Sequence, residues 1–333
     1  MVIMNMTAHT FTGGNGSVGL LNISKPLDLA INYFSVTILI LTMISLGCSM
    51  EIPKIKAHFV TPKGIIIALL AQFLIMPLTA FSLAKVLHMG PMKAVAVLIC
   101  GCCPGGNLSN IFALALKGDM NLSIVMTTCS CIAALGLMPL QLYLFSQGFP
   151  GLENSVPYVG IISALILALV PCAVGIAINH YRPKYSPIVQ KVGIGIMMVS
   201  GVVIFAMSFI SVKEVIWMVL TWDVLLVAGA MPAIGFSLGY VMSLVCKLNQ
   251  QCSRTIAMET GCQNIQLCTT ILKVTFPLQV IGPMFLFPLL YISFQCAEAL
   301  LLTLSFRCFQ VFNKPSVEDS PYLNSKQEEV KQP

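Results

Sequence analysis

Cys102-Cys103-Pro104-Gly105-Gly106-Asn107-Leu108-Ser109-Asn110 lies in the middle of an apolar run reaching from about residue 91 to 117. A run of this length can cross a bilayer core roughly 30 Å thick. Proline removes a backbone donor and the paired glycines weaken the helix, so the segment is predicted to break there. The backbone groups freed by the break must then be satisfied by protein, water or an ion. A second stretch has the same character: Met258-Glu259-Thr260-Gly261-Cys262-Gln263-Asn264-Ile265-Gln266. Gly105-x-Asn107-x-x-Asn110 lines up with Gly261-x-Gln263-x-x-Gln266. The two stretches are five apolar segments apart, an odd number, so they cross in opposite directions. Paired interruptions in opposite orientation predict an inverted repeat built around a central site.

The rest of the chain supports a membrane setting. Its 333 residues are 57% hydrophobic and only 9% charged, against about 25% charged in soluble domains. Disorder requires the reverse balance. A net charge of +6 is too weak and too dispersed for a nucleic-acid face. Nine apolar segments can be drawn, at 28–50, 64–87, 91–117, 120–147, 156–180, 188–212, 221–247, 253–274 and 279–309. The expected class is an all-α polytopic membrane protein with nine transmembrane helices. The 13 cysteines lie mostly inside apolar runs and read as small packing residues, not as a disulfide framework. Cys100, Cys102 and Cys103 lack the second pair or histidines that a zinc site needs.

Positive charge predicts the orientation. Lys54, Lys56, Lys63, Lys117, Arg182, Lys184, Lys191, Lys247, Arg254 and the cations from Arg307 onward fall on one side. Only Lys25, Lys85, Lys93, Lys213 and Lys273 fall on the other. The first side is therefore read as cytoplasmic, with the N-terminus outside and the C-terminus inside. Sequons at Asn5, Asn15 and Asn22 agree with an extracellular, glycosylated N-terminal tail. The first residues lack the basic region of a cleavable signal. The expected organisation is a tail over 1–27, a transporter domain over 28–309 and a polar, disordered cytoplasmic tail over 310–333.

Among the apolar segments, Glu259 is the informative charge. A carboxylate at a helix centre costs about 2.5–3.5 kcal/mol on insertion scales, and no Lys or Arg lies in the central part of any segment. The oxygen donors near it in pattern are Ser109, Asn110, Gln263, Ser123 and Thr127. An oxygen-only set suits alkali or alkaline-earth ions, not zinc or copper. A protonated Glu259 bonded to a neighbour is the competing reading. Gln72 is a further buried oxygen donor, or else a helix–helix hydrogen bond. Glu298 lacks such company, and the sequence leaves it between a structural and a substrate-facing role. Lys117-Gly118-Asp119 reads as a turn followed by a helix N-cap.

These residues resemble the sodium/bile acid symporter family. The resemblance rests on residues 102–110, on Lys117–Ser123 with Met126–Ser130, on Met258–Asn264, and on Leu46–Glu51 with Pro62–Gly64. It covers about residues 28–309, and Asn107-Leu108 with Cys262 favours its hepatic members over its ileal ones. The resemblance implies a panel of spans 1, 5 and 6 and a core of spans 2–4 and 7–9, in which the two broken helices cross. It implies one sodium site at Ser109, Asn110, Ser123, Thr127 and Glu259, and a second at Gln72 and Gln263 with backbone carbonyls. Asn107, Asn264 and Glu298 are candidates for the substrate route. It further implies a plasma-membrane setting, on the basolateral face of hepatocytes.

The expectation is a sodium-coupled secondary symporter importing conjugated bile salts by alternating access. It would be neither an enzyme nor a cofactor user, with sodium as co-substrate and membrane lipids as surroundings. Its sequence holds no Gly-x-x-x-x-Gly-Lys-Ser/Thr loop for an ATPase. The alternative cargo is a sulfated steroid or another organic anion. A membrane receptor and a cation channel are alternatives of other classes. A receptor of the commonest kind has seven spans and no purpose for paired breaks.

Overall fold

Three features of the chain's chemistry set the architecture: where proline breaks the backbone ladder, where glycine lets helices touch, and where side chains replace lost backbone partners. The computed structural model describes residues 25–50, 53, 63–152, 156–211, 216–276 and 281–312. Asn5, Asn15, Asn22, Lys54, Lys56 and the tail from residue 313 lie outside the described residues.

The described chain is helical. The elements are α1 (Lys25–Ser49), α2 (Lys63–Val86), α3 (Pro91–Cys102), α4 (Asn107–Ala115), α5 (Met120–Ser146) and α6 (Tyr158–Tyr181). They continue with α7 (Ser186–Ser211), α8 (Trp222–Val245), α9 (Gln250–Gly261), α10 (Ile265–Thr275) and α11 (Phe287–Phe312), the last preceded by a 3-10 turn at Gly282–Leu286. Among the described residues, five helical stretches are long and apolar enough to cross a membrane: α2, α5, α6, α8 and Gly282–Phe312. The runs Val36–Ser49, Pro91–Cys102 and Ile265–Thr275 are apolar but shorter.

Helix α2 contains a π-helical turn at Ala71–Ile75. Pro77 follows it and cannot donate to the carbonyl of Phe73, four residues back. The Gln141 side-chain amide of α5 donates to that carbonyl instead. The wider turn carries Gln72, which is buried, as π-turns often do for functional side chains.

Helix α1 packs on α6 and α7, while α8 packs on α9 and α11, and α2 on α3. The α1–α6 contact is a glycine seam. A Cβ on Gly47 would sit 2.0 Å from the Cys172 carbonyl oxygen, and one on Gly175 would sit 2.2 Å from that of Ile44. Small residues at such a seam let backbones approach without a water-driven hydrophobic force. The last carbonyls of α1 have no partners within the helix. Ser186 Oγ and Gln190 Nε2 donate to the Cys48 carbonyl at 2.6 and 2.7 Å, and Asn179 Nδ2 donates to that of Met50 at 2.8 Å. Groups α1–α6–α7 and α2–α3–α8–α9 meet chiefly through α5 and α10, which both touch α6.

Candidate functional site

The two interruptions meet. Helix α3 ends at Cys102 and α4 begins at Asn107, while α9 ends at Gly261 and α10 begins at Ile265. Gly105 and Gln263 form an isolated antiparallel bridge, and the Asn264 amide donates to the Pro104 carbonyl at 2.9 Å. Close approach favours glycine here: a Cβ on Gly106 would lie 3.1 Å from the Asn264 Cα.

The freed backbone groups can be followed one by one. The Cys103 carbonyl accepts from Gln72 Nε2 at 2.7 Å. The Gly261 carbonyl accepts from the Tyr291 hydroxyl at 3.0 Å. The Gln263 amide donates to Gln295 Oε1 at 3.0 Å, and Gln263 Nε2 donates to the Thr260 carbonyl at 2.8 Å. Asn264 Oδ1 accepts from the Leu267 amide at 3.1 Å, capping α10. Two broken helices survive because α2 and α11 supply side chains where a helix would have supplied backbone.

Glu259 lies one turn before the second break and is 3% exposed. Its Oε1 accepts from Ser123 Oγ at 2.7 Å, Ser109 Oγ at 2.8 Å and Thr127 Oγ1 at 2.9 Å. Thr127 Oγ1 is also 3.0 Å from Oε2. Ser123 Oγ lies 2.7 Å from Asn110 Oδ1, and Thr127 Oγ1 lies 3.5 Å from it. Ser109 Oγ is 2.6 Å from the Gly106 carbonyl, and Thr127 Oγ1 is 3.0 Å from that of Ser123. Each hydroxyl owns one hydrogen and two lone pairs. The cluster therefore holds more close oxygen–oxygen approaches than three hydrogens can bridge. A small cation among these oxygens would turn the surplus approaches into ligand contacts. The expected residues Ser109, Asn110, Ser123, Thr127 and Glu259 thus converge, all buried.

Gln72 and Gln263 also meet, with Gln72 Nε2 donating to Gln263 Oε1 at 2.9 Å. Gln72 makes a helix–helix hydrogen bond, and it makes it to both breaks at once. Gln295 is not among the residues expected from sequence, because its role depends on the tertiary position of α11. A polar side chain in the middle of an apolar helix was its one available signal.

The substrate-route candidates separate. Asn107 Nδ2 donates to the Thr42 carbonyl of α1 at 3.3 Å. Asn107 and Asn264 line a small space of about 20 Å3 against Thr42 and Met43. Glu298 lines a different and larger cavity, of about 540 Å3, between α8, α9 and α11. Asp119 is an N-cap: its Oδ1 accepts from the amides of Asn121 and Leu122 at 3.0 and 3.1 Å. Lys117, just before it, adopts φ of 53°. At this end of α4, Arg254 Nη2 donates to the Lys117 carbonyl and Arg307 Nε to that of Ala115, at 3.0 and 3.1 Å. Both cations thus face the negative end of the α4 dipole.

Comparison with known proteins adds a second line of observation. Residues 36–218 match the profile of the Sodium Bile acid symporter family. The hepatic sodium/bile acid cotransporter of Rattus norvegicus is 53% identical over 293 residues, 87% of this chain and 81% of that protein. Its Homo sapiens counterpart is also 53% identical, over 87% of this chain and 84% of that protein. The sodium-dependent organic anion transporter of Homo sapiens is 39% identical over 87% of this chain and 77% of that protein.

Proposed function

The chain belongs to the sodium bile acid symporter family, and on that premise we propose that it couples sodium entry to the import of conjugated bile salts across the plasma membrane. The observation that carries the reading is the buried Glu259 carboxylate, ringed by the hydroxyls of Ser109, Ser123 and Thr127 beside the crossing. Sodium is the co-substrate. One ion sits among Ser109, Asn110, Ser123, Thr127 and Glu259. A second sits at Gln72 and Gln263 with carbonyls of the breaks. Each ion replaces hydrogen bonds that now hold the crossing, so its arrival changes how firmly α4 and α10 are set.

The proposed membrane arrangement has nine crossings, with α3–α4 and α9–α10 each forming one broken crossing of an inverted repeat. The N-terminus is extracellular with glycans at Asn5, Asn15 and Asn22, and the C-terminus is cytoplasmic. Spans 1, 5 and 6 (α1, α6, α7) form the panel and the remaining spans form the core. A bile-salt anion enters between them, where Asn107 and Asn264 face α1. The core then rocks against the panel to open the site inward. The molecule acts as a carrier, without bond-making chemistry of its own.

The driving force is sufficient. Two sodium ions moving down roughly tenfold gradients supply about 2.8 kcal/mol, at 1.4 kcal/mol per decade. Moving one net positive charge through roughly 40 mV adds about 1 kcal/mol. Together these sustain an accumulation of roughly several hundred-fold.

Tracer taurocholate uptake in cells expressing the chain, with external sodium or potassium, tests the proposal. Uptake in sodium alone supports it. Sodium current without an organic anion would make it a channel, and ligand binding without uptake a receptor. The resemblance to the sodium-dependent organic anion transporter favours another organic anion as the second cargo, and a sulfated steroid is the one to try. Competition between taurocholate and a steroid sulfate reads that preference.

A further inference from the structure

The 540 Å3 cavity between α8, α9 and α11 lies apart from the α1-facing space that contains Asn107 and Asn264. Its walls are mostly apolar, from Leu116, Phe236, Met258 and Leu302 among others. Two charged residues, Glu298 and Arg254, interrupt that lining. Glu298 Oε2 and Arg254 Nε are both buried, and neither has a hydrogen-bond partner. Orphan buried polar groups are rare and costly, at about 1–3 kcal/mol each and more when charged. One is an acceptor and the other a cationic donor, and both belong to residues lining the same cavity.

Their separation can be read along α11. The Arg254 guanidinium lies over the Phe306 ring, 4.9 Å from its centroid. Phe306 is eight residues beyond Glu298, about 12 Å of rise at 1.5 Å per residue. Arg254 also donates to the Lys117 carbonyl at the α4 end, so it marks one end of the cavity and Glu298 another part of its wall. The cavity thus presents an acceptor in an apolar slot and a cation set about 12 Å of helix rise further toward the C-terminal end of α11.

We propose that this cavity is a second binding site for the same class of amphiphile that the protein carries: a rigid hydroxylated steroid acid, with its acidic group at Arg254 and a ring hydroxyl donating to Glu298. An acyl chain would bring no donor to Glu298 and would leave the carboxylate against hydrocarbon. A cationic amphiphile would match Glu298 but set a second cation in the slot lined by Arg254. A fused-ring acid supplies donor, apolar body and anion in the order the cavity requires. The site is reached from the side of α8 and α11 that leaves Ser237, Leu301 and Leu302 exposed. Its lining contains none of the proposed sodium ligands, so binding there does not require sodium. The choice of occupant rests on the bile-salt reading above, while the cavity and its two orphan atoms do not.

Equilibrium binding of tritiated taurocholate to the purified full chain in phosphatidylcholine nanodiscs tests this, with sodium present or replaced by potassium. Two saturable components are expected, one requiring sodium and one not. Glu298→Leu and Arg254→Gln should each weaken the sodium-independent component at least tenfold. Ser237→Trp should do the same by filling the slot while leaving both polar groups in place, and gel filtration verifies that each variant is folded. Absence of a sodium-independent component would overturn the inference. Its equal displacement by oleate would overturn it too, because the slot would then be an acyl-chain crevice. The sodium-dependent component tests the symporter reading separately.

Discussion

Replacing Gly105 with alanine should disable the proposed sodium site without replacing any of its ligands. A Cβ at this position would lie 2.7 Å from Glu259 Oε2 and 3.8 Å from its Cδ. Ordinary carbon–oxygen approaches run about 3.3–3.6 Å, so the carboxylate must move by about 0.6 Å or more. It has little freedom to do so, because Oε1 is held by three hydroxyls at 2.7–2.9 Å. Binding constellations tolerate displacements of about 0.5 Å. Losing one charge-assisted contact costs about 1.5–3 kcal/mol, which is roughly a 10- to 100-fold loss of affinity at 1.4 kcal/mol per decade. The assay is taurocholate uptake as a function of sodium concentration, normalised to surface protein. The half-saturating sodium concentration should rise by about that factor in Gly105→Ala. Gly136→Ala, which meets nothing within 4 Å, should leave it unchanged. An unaltered sodium dependence in Gly105→Ala would refute the placement of sodium against Glu259.

Gly47→Ala and Gly175→Ala each drive a methyl into a backbone carbonyl, at 2.0 and 2.2 Å, which cannot rotate away. Each should lower the thermal midpoint by several degrees in fluorescence-detected gel filtration, an overpacking cost of about 1–3 kcal/mol, and unchanged midpoints would contradict the glycine seam. Gln72→Leu removes the donor to both Cys103 O and Gln263 Oε1. It should raise half-saturating sodium in the uptake assay while the protein still reaches the surface; normal sodium dependence would remove Gln72 from the ion path. The Lys93–Asp223 ion pair is short at 2.8 Å but partly exposed. A double-mutant cycle on thermal stability should therefore return a coupling below about 1 kcal/mol, smaller still in high salt.

Much of the site was legible because its chemistry is costly in this setting. A carboxylate, clustered amides and a Pro-Gly-Gly run are expensive inside apolar segments, so Glu259, Asn110, Gln263 and the two breaks stood out from sequence. Ser123 and Thr127 were legible for a lesser reason, as hydroxyls on the adjacent segment one helical turn apart. The pairing register was not legible. The sequence alignment sets Gly105 against Gly261, whereas in space Gly105 meets Gln263, because crossing strands pair by antiparallel geometry and not by repeat position. Gln295 was invisible because its partner, the Gln263 amide, is freed only by the break in another helix. Gln141 was invisible for the same reason: its role begins with Pro77 on α2. Glu298 was noticed but not placed, since nothing in its own segment shows that α8 and α9 wall a cavity around it.

The fold divides similarly. Helix positions followed from apolar runs, and breaks from proline and glycine. The packing of α1 against α6 depended on two glycines 128 positions apart, whose partnership no local pattern announces. The capping of α4 by Arg254 and Arg307 likewise joins residues whose charges, read along the chain, bear only on the expected orientation.

Sodium titration by calorimetry on the purified protein and on Glu259→Gln tests the central claim most directly. The glutamine keeps the shape and an oxygen but removes the charge proposed to hold the ion among Ser109, Asn110, Ser123 and Thr127. The account predicts saturable heat with sodium and not with potassium in the parent protein, and at least a tenfold weaker response in Glu259→Gln. Equal sodium affinity in the two proteins would contradict it.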